Sequence, residues 1–263
     1  MSLLEVRDLC AGYGAQRVLS GVNLRVDAGE VVGLLGANGC GKTTLIKAVC
    51  GLLPASGRVT IAGRNASTLS AREMARLTGY IPQRSGVSID ISALDVTLMG
   101  FNAQLGLLGQ PGAQMRESAK EALALVGLGG RENDNYQHLS EGQKQLCILA
   151  RTLVTGSRLL LLDEPESALD FRFRAQMLAL IRRAAEKEGR GALIALHEAQ
   201  LALNGCDRLL LLAPGGGTCE IAPGRDTLDT METALARIYG PVSLHRVTGR
   251  SGRTQLVMIR EDA

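Results

Sequence analysis

Near the start of the chain, hydrophobic and polar positions alternate. Leu3 to Leu9 reads roughly as a strand, and Val18 to Val26 as another with polar residues interleaved. The pattern changes at Val31 to Leu35, a continuous apolar run ending at Gly36, as expected of a parallel strand buried on both faces. A glycine-rich turn follows. Lys42 to Cys50 then carries Leu45, Ile46 and Val49 at helical spacing, with Gly51 placed to close the helix. Arg58 to Ile61 and Gly79 to Ile81 predict further short strands. From Ile89 to Gly127 helical periods dominate, as in Glu117 to Val126, which marks a candidate helical insertion. Strand signals return at Leu159 to Leu162, Ala192 to Leu196 and Arg208 to Ala213, with a helix over 171–188 between the first two. Strands alternating with helices predict an α/β fold whose parallel sheet is covered on both faces. Ser243 to Arg260 reads as a hairpin around Gly249 and Gly252.

Composition narrows the function classes. The chain has 263 residues, enough for one to two domains. Its 29 basic and 26 acidic residues nearly cancel, and aromatics make up only 3% with no Trp. A dedicated nucleic-acid domain wants a basic footprint and stacking platforms, so nucleic acid is not an expected partner. Apolar runs such as Leu159 to Leu162 and Leu209 to Ala213 are too short to cross a bilayer. The stretch MSLLEVRDL has neither a basic lead nor a long apolar core, so no signal peptide is expected. The expected location is the cytoplasm, unless something docks the protein to a membrane. The six cysteines, at 10, 40, 50, 147, 206 and 219, lie too far apart for CxxC chemistry and read as reduced small hydrophobes.

Two segments carry chemistry. Gly36-Ala37-Asn38-Gly39-Cys40-Gly41-Lys42-Thr43-Thr44 matches a phosphate-binding loop. Its glycines let the backbone bend around a phosphate with N–H groups inward, and the helix that follows adds free donors. Lys42 would place a cation on the outer phosphates, and the Thr43 hydroxyl could ligate Mg²⁺. The second segment is the apolar strand Leu159 to Leu162, which ends in Asp163 and Glu164. Ligand sites in such sheets lie at the carboxyl ends of the strands. Asp163 would hold Mg²⁺, directly or through water, and Glu164 would polarise an attacking water.

With these residues in view, the chain resembles the ATP-binding subunit of ABC transporters. Leu139-Ser140-Glu141-Gly142-Gln143 is similar to the signature segment of that family, which contacts the γ-phosphate bound by the opposite subunit. By the same resemblance, Tyr13 matches the aromatic that stacks on adenine, and Gln83, after Pro82, the glutamine that senses Mg²⁺ and the permease. Ser167-Ala168-Leu169-Asp170 matches the segment crossing the dimer interface, and His197 the switch histidine at the γ-phosphate. His138 and His245 read as structural. Three positions depart from the family pattern: Glu141 replaces the usual Gly, Glu166 stands where Thr or Ser is commoner, and Glu198 where Asp is usual. The resemblance implies a P-loop (RecA-like) parallel core with an antiparallel β-subdomain and an inserted α-helical subdomain. It spans one nucleotide-binding domain over 1–263: core about 1–85 and 155–225, helical part about 86–154, and extension about 226–263.

The resemblance also implies a head-to-tail homodimer with two ATPs at the interface. Each ATP would be held by Lys42, Thr43 and Asp163 of one copy and by Ser140 and Gly142 of the other. Leu69 to Leu77, Tyr80 to Gln83, Leu98 to Phe101 and Ala234 to Gly240 are similar to importers of the iron-siderophore, haem and cobalamin group. That implies two integral-membrane permease subunits, an extracytoplasmic binding protein and a place at the cytoplasmic face of the membrane. The alternatives are a non-transport ABC ATPase, an exporter or a transporter for another small molecule, and an inactive scaffold, against which the retained Glu164, His197 and Gln83 argue.

Overall fold

In the computed structural model, described over residues 1–83, 86–106, 109–167, 169–213 and 217–261, the elements follow in a simple order. They are β1 (Ser2–Tyr13), β2 (Gln16–Asp27), β3 (Val31–Gly36), α1 (Lys42–Val49), β4 (Ala55–Ile61), β5 (Arg64–Asn65), α2 (Ala71–Leu77) and β6 (Thr78–Ile81). Then come α3 (Ala93–Leu98), α4 (Ala113–Leu125), α5 (Glu141–Leu153), β7 (Leu159–Asp163), α6 (Phe171–Glu188), β8 (Gly191–Ala195) and α7 (Ala199–Gly205). The chain continues through β9 (Arg208–Leu212), β10 (Thr218–Ile221), α8 (Leu228–Tyr239), β11 (Val242–Thr248) and β12 (Thr254–Arg260).

Two sheets form the body. The first is antiparallel, in the order β2-β1-β4-β5. The second has the order β10-β9-β3-β8-β7-β6, parallel throughout except for β10 on its edge. In the central strands successive side chains enter opposite cores. Leu160, Leu162, Ala192, Ile194, Leu209 and Leu211 pack with α5, α6, α7 and α8. Leu159, Leu161, Leu193, Ala195, Leu210 and Leu212 pack with α1 and the antiparallel sheet. This is why the four-leucine run shows no alternation: both faces are dry, and each fully buried leucine contributes about 1.5–3 kcal/mol. One cover is thus a helical layer and the other a sheet with α1.

α3, α4 and α5 pack on one another. Their link to the core includes Arg72 and Arg76 of α2, whose Nε atoms donate to the Ala103 carbonyl at 3.1 and 2.8 Å. The C-terminal hairpin pairs β11 with β12. Its β12 backbone is fastened to α7, where Asn204 Oδ1 accepts from Leu256 N at 2.9 Å and Gln200 Oε1 from Met258 N at 3.0 Å.

Most expected elements are present with longer ends, and the helix over 171–188 coincides with α6. The helix expected over Lys42 to Cys50 stops at Val49, with Cys50 as its C-cap and Gly51 at φ 71° beyond it. β5 and β10 carry no apolar run that would announce them: Arg64 and Asn65 are exposed, and only Ile221 of β10 is buried.

Candidate active site

The phosphate loop leaves β3 at Gly36 and enters α1 at Lys42. Gly41, at φ 110°, is the N-cap of α1 and has no side chain to occupy the helix N-terminus. Gly36 has no room for one: an added Cβ would lie 2.4 Å from Cys40 Sγ and 2.5 Å from the Leu212 carbonyl. Lys42 is buried at 4% exposure, and its Nζ donates to the Gly36 carbonyl at 3.0 Å. Asn38 and Gly39 are exposed, Cys40 is half-buried, and Thr44 is buried beneath the loop.

The acids arrive on the neighbouring strand ends. Thr43 Oγ1 donates to Asp163 Oδ1 at 2.9 Å. Burial pushes the Asp163 carboxyl above its usual range; the Thr43 hydrogen bond opposes this and the nearby Glu164 charge adds to it. Asp163 Oδ2 is buried without a hydrogen-bond partner. Glu164 follows at φ 52°, a left-handed turn that aims its side chain into the loop while its N–H reaches the Ala195 carbonyl at 3.1 Å.

Three groups meet the Glu164 carboxylate. Gln83 Nε2 donates to Oε2 at 2.5 Å, His197 Nε2 lies 2.5 Å from the same oxygen, and Lys42 Nζ lies 3.8 Å from Oε1. Lys42 and Glu164 are both nearly inaccessible, so water does little to screen them. Gln83 comes from just past β6, and His197 from just past β8. The parallel register of β6, β7 and β8 therefore brings residues distant in sequence to one edge.

The structure brings Gly36, Lys42, Thr43, Gln83, Asp163, Glu164 and His197 together. Other expected site residues lie elsewhere. Ser140 and Gln143 are joined in a capping box at the start of α5, and Gly142 is in its first turn; none is bonded to the phosphate loop. Tyr13 ends β1, half exposed, on a groove of about 670 Å³ lined by residues 10–17 and 53–56. Asp170 caps α6 through Phe173 N at 3.0 Å. Ala168 lies outside the described residues.

One participant escapes sequence reasoning. Glu166, 2% exposed, accepts the His197 backbone N–H on Oε1 at 2.9 Å. Burial raises its carboxyl, and that N–H opposes the rise. The only sequence signal is an acid in a turn that otherwise follows the family pattern.

Comparison with known proteins identifies the family. Residues 19–167 match the family described as ABC transporter. The chain is 36% identical over 246 residues to the hemin import ATP-binding protein HmuV of Bordetella pertussis, covering 90% of this chain and 92% of that protein. It is 35% identical over 240 residues to the zinc transport system ATP-binding protein TroB of Treponema pallidum, covering 90% and 86%. A metal-chelate type ABC transporter, solved in an inward-facing conformation, superposes with TM-score 0.83 at 23% identity over 99% of both chains. The chain belongs to the ABC transporter family and is one of its ATP-hydrolysing cassettes.

Proposed function

We propose that this cassette drives import of a metal complex, an iron chelate such as haem or a siderophore, by hydrolysing ATP between two copies of itself. The observation that carries the hydrolytic part is the Glu164 carboxylate, gathered against Gln83, His197 and Lys42. The relatives support the cargo class: one is named for hemin and another for zinc, so a metal complex is the common ground.

In this reading Lys42 releases the Gly36 carbonyl and takes the outer phosphates of ATP. The donor set fits Mg²⁺: a hydroxyl from Thr43, a buried Asp163 oxygen without a hydrogen bond, and the Gln83 amide oxygen are hard oxygen ligands. Among the described residues no three His, Cys, Asp or Glu side chains gather into a metal cage, so phosphate oxygens and water would complete the shell. A Mg²⁺ held by these residues would neutralise charge on the phosphates. Glu164 accepts a proton from water as its oxygen attacks the γ-phosphorus; the bond to the bridging oxygen breaks, leaving ADP and phosphate. His197 and Gln83 orient that carboxylate. Asn38, Gly39, Cys40, Gly41 and Thr44 form the rest of the phosphate cradle, with Tyr13 against the base.

Ser140 and Gln143 cap the helix through each other, and Gly142, in its first turn between them, would present its backbone N–H to a phosphate from another copy. This supports a head-to-tail homodimer, with Asp170 at its seam. The helical part, about 86–154, would grip one of two permease subunits, with an extracytoplasmic binding protein delivering the cargo. Among the described residues no helix is long and apolar enough to cross a membrane, so those permeases would hold the cassette at the cytoplasmic face.

Glu164→Gln tests the reading. Hydrolysis should fall by about 10²-fold or more, while ATP binding persists and light scattering shows a dimer that forms only with ATP. A variant that hydrolyses at the parent rate, or stays monomeric at saturating ATP, would overturn it.

A further inference from the structure

We propose that Glu166 is a positioning residue for hydrolysis: its buried carboxyl fixes the backbone of His197 and so holds the imidazole against Glu164. The inference rests on the reading above, in which Glu164 and His197 act on the γ-phosphate.

The geometry forms a closed circuit. Glu166 Oε1 accepts from His197 N at 2.9 Å, and the same histidine's Nε2 lies 2.5 Å from Glu164 Oε2. Glu164 and Glu166 are themselves joined through one tight turn, in which Ser167 N donates to the Glu164 carbonyl at 3.2 Å and Leu169 N to the Glu166 carbonyl at 3.0 Å. The turn after β7 and the end of β8 are thus clasped at two points. One is the imidazole–carboxylate contact and the other the Glu166 carboxyl.

The second contact is the more protected of the two. The His197 side chain is 43% exposed, whereas Glu166 is 2% exposed. A backbone N–H held by a buried acceptor limits how far residue 197 can swing. Burying a carboxyl is costly, and here one oxygen has no hydrogen-bond partner. Stability alone would favour a smaller, neutral residue. The family's commoner Thr or Ser carries its hydroxyl directly on Cβ, two carbons short of where the Glu carboxyl oxygens sit. In this chain the length of Glu reaches the His197 N–H. The arrangement places the cost of a buried acid directly beside the hydrolytic centre, where a misplacement of about 1 Å can change rates by about 10²-fold.

The test compares Glu166→Gln, which keeps an acceptor oxygen and the side-chain length, with Glu166→Ala, which keeps neither, each alone and with His197→Ala. ATP hydrolysis by the purified full chain is measured across ATP concentrations. The expected result is a kcat for Glu166→Ala lower by about tenfold or more, little change in KM and near-parent turnover for Glu166→Gln. The double variant Glu166→Ala/His197→Ala should fall no further than His197→Ala alone. Only three histidines are present, so the His197 ring signals can be assigned by NMR with His138→Gln and His245→Gln. Those signals should shift in Glu166→Ala and hold in Glu166→Gln, a readout independent of turnover. If Glu166→Ala does not fold, Glu166→Thr takes its place in both measurements.

Parent-like turnover in Glu166→Ala would overturn the proposal. So would equal loss in Glu166→Gln and Glu166→Ala, or losses that add to that of His197→Ala. Full activity in His197→Ala would instead take His197 out of the hydrolytic centre, and the proposal with it, whereas the functional reading is overturned by parent-rate hydrolysis in Glu164→Gln.

Discussion

A methyl group at residue 36 has no space. The two atoms it would strike differ in kind: Cys40 Sγ can be removed by mutation, but the Leu212 carbonyl belongs to the β9 backbone. Overpacking of this sort costs about 1–3 kcal/mol. If the loop absorbs it, Gly36→Ala should weaken ATP binding about 5- to 150-fold, measured by titration with a fluorescent nucleotide. Cys40→Ala in the same chain should not restore affinity, because the backbone clash remains. Recovery in that double variant would place the strain on the thiol instead. The residues gathered around Glu164 were largely legible in the sequence, because each sits in a short motif whose flanking strand or helix is itself recognisable. Glu166 was not. Its partner is 31 residues further along the chain, on the end of a different strand, and no local pattern states which strand ends become neighbours.

At the scale of elements, two helices begin with the same device. Ser70 with Glu73 opens α2, and Ser140 with Gln143 opens α5; both are complete capping boxes. Replacing either serine by alanine should cost about 1 kcal/mol, which for a chain this long lowers Tm by about 2–4 °C. Only Ser140→Ala should also reduce ATP hydrolysis, because only that helix start is assigned to a phosphate. Calorimetry and an ATPase assay on the pair separate the two roles, and equal hydrolysis in both variants would leave Ser140 as a cap alone. The strands of the core were readable because Leu159 to Leu162 and its neighbours are apolar on both faces. β5 was not readable, because two exposed polar residues hold a strand only through their pairing with Thr60 and Ile61. The hairpin of β11 and β12 was readable as local structure. Its attachment to α7 was invisible, since it depends on the amides of Gln200 and Asn204 meeting backbone more than fifty residues away.

At the scale of the molecule, a groove of about 690 Å³ opens between the sheet body and the helical part. Met74, Tyr80, Met99 and Ala103 line it, and Leu52, 61% exposed, stands at its rim. If the proposed import function holds, a short apolar segment of a permease is expected to dock here, beside the strand that leads to Gln83. Met99→Glu should abolish co-purification of the membrane partners while leaving nucleotide affinity unchanged; retention of the partners would place their docking surface elsewhere. The backbone at Glu164 has a consequence for the molecule as a whole. A residue with a side chain in the left-handed region costs of order 1–3 kcal/mol, against a total margin of roughly 5–15 kcal/mol for a folded protein. Glycine would relax that bend, but it would also strip the buried Lys42 of its carboxylate neighbour, a loss of about 3–5 kcal/mol that outweighs the relief. A campaign that selects for heat resistance alone would therefore meet opposite pulls at this position, backbone relief against a stranded buried cation.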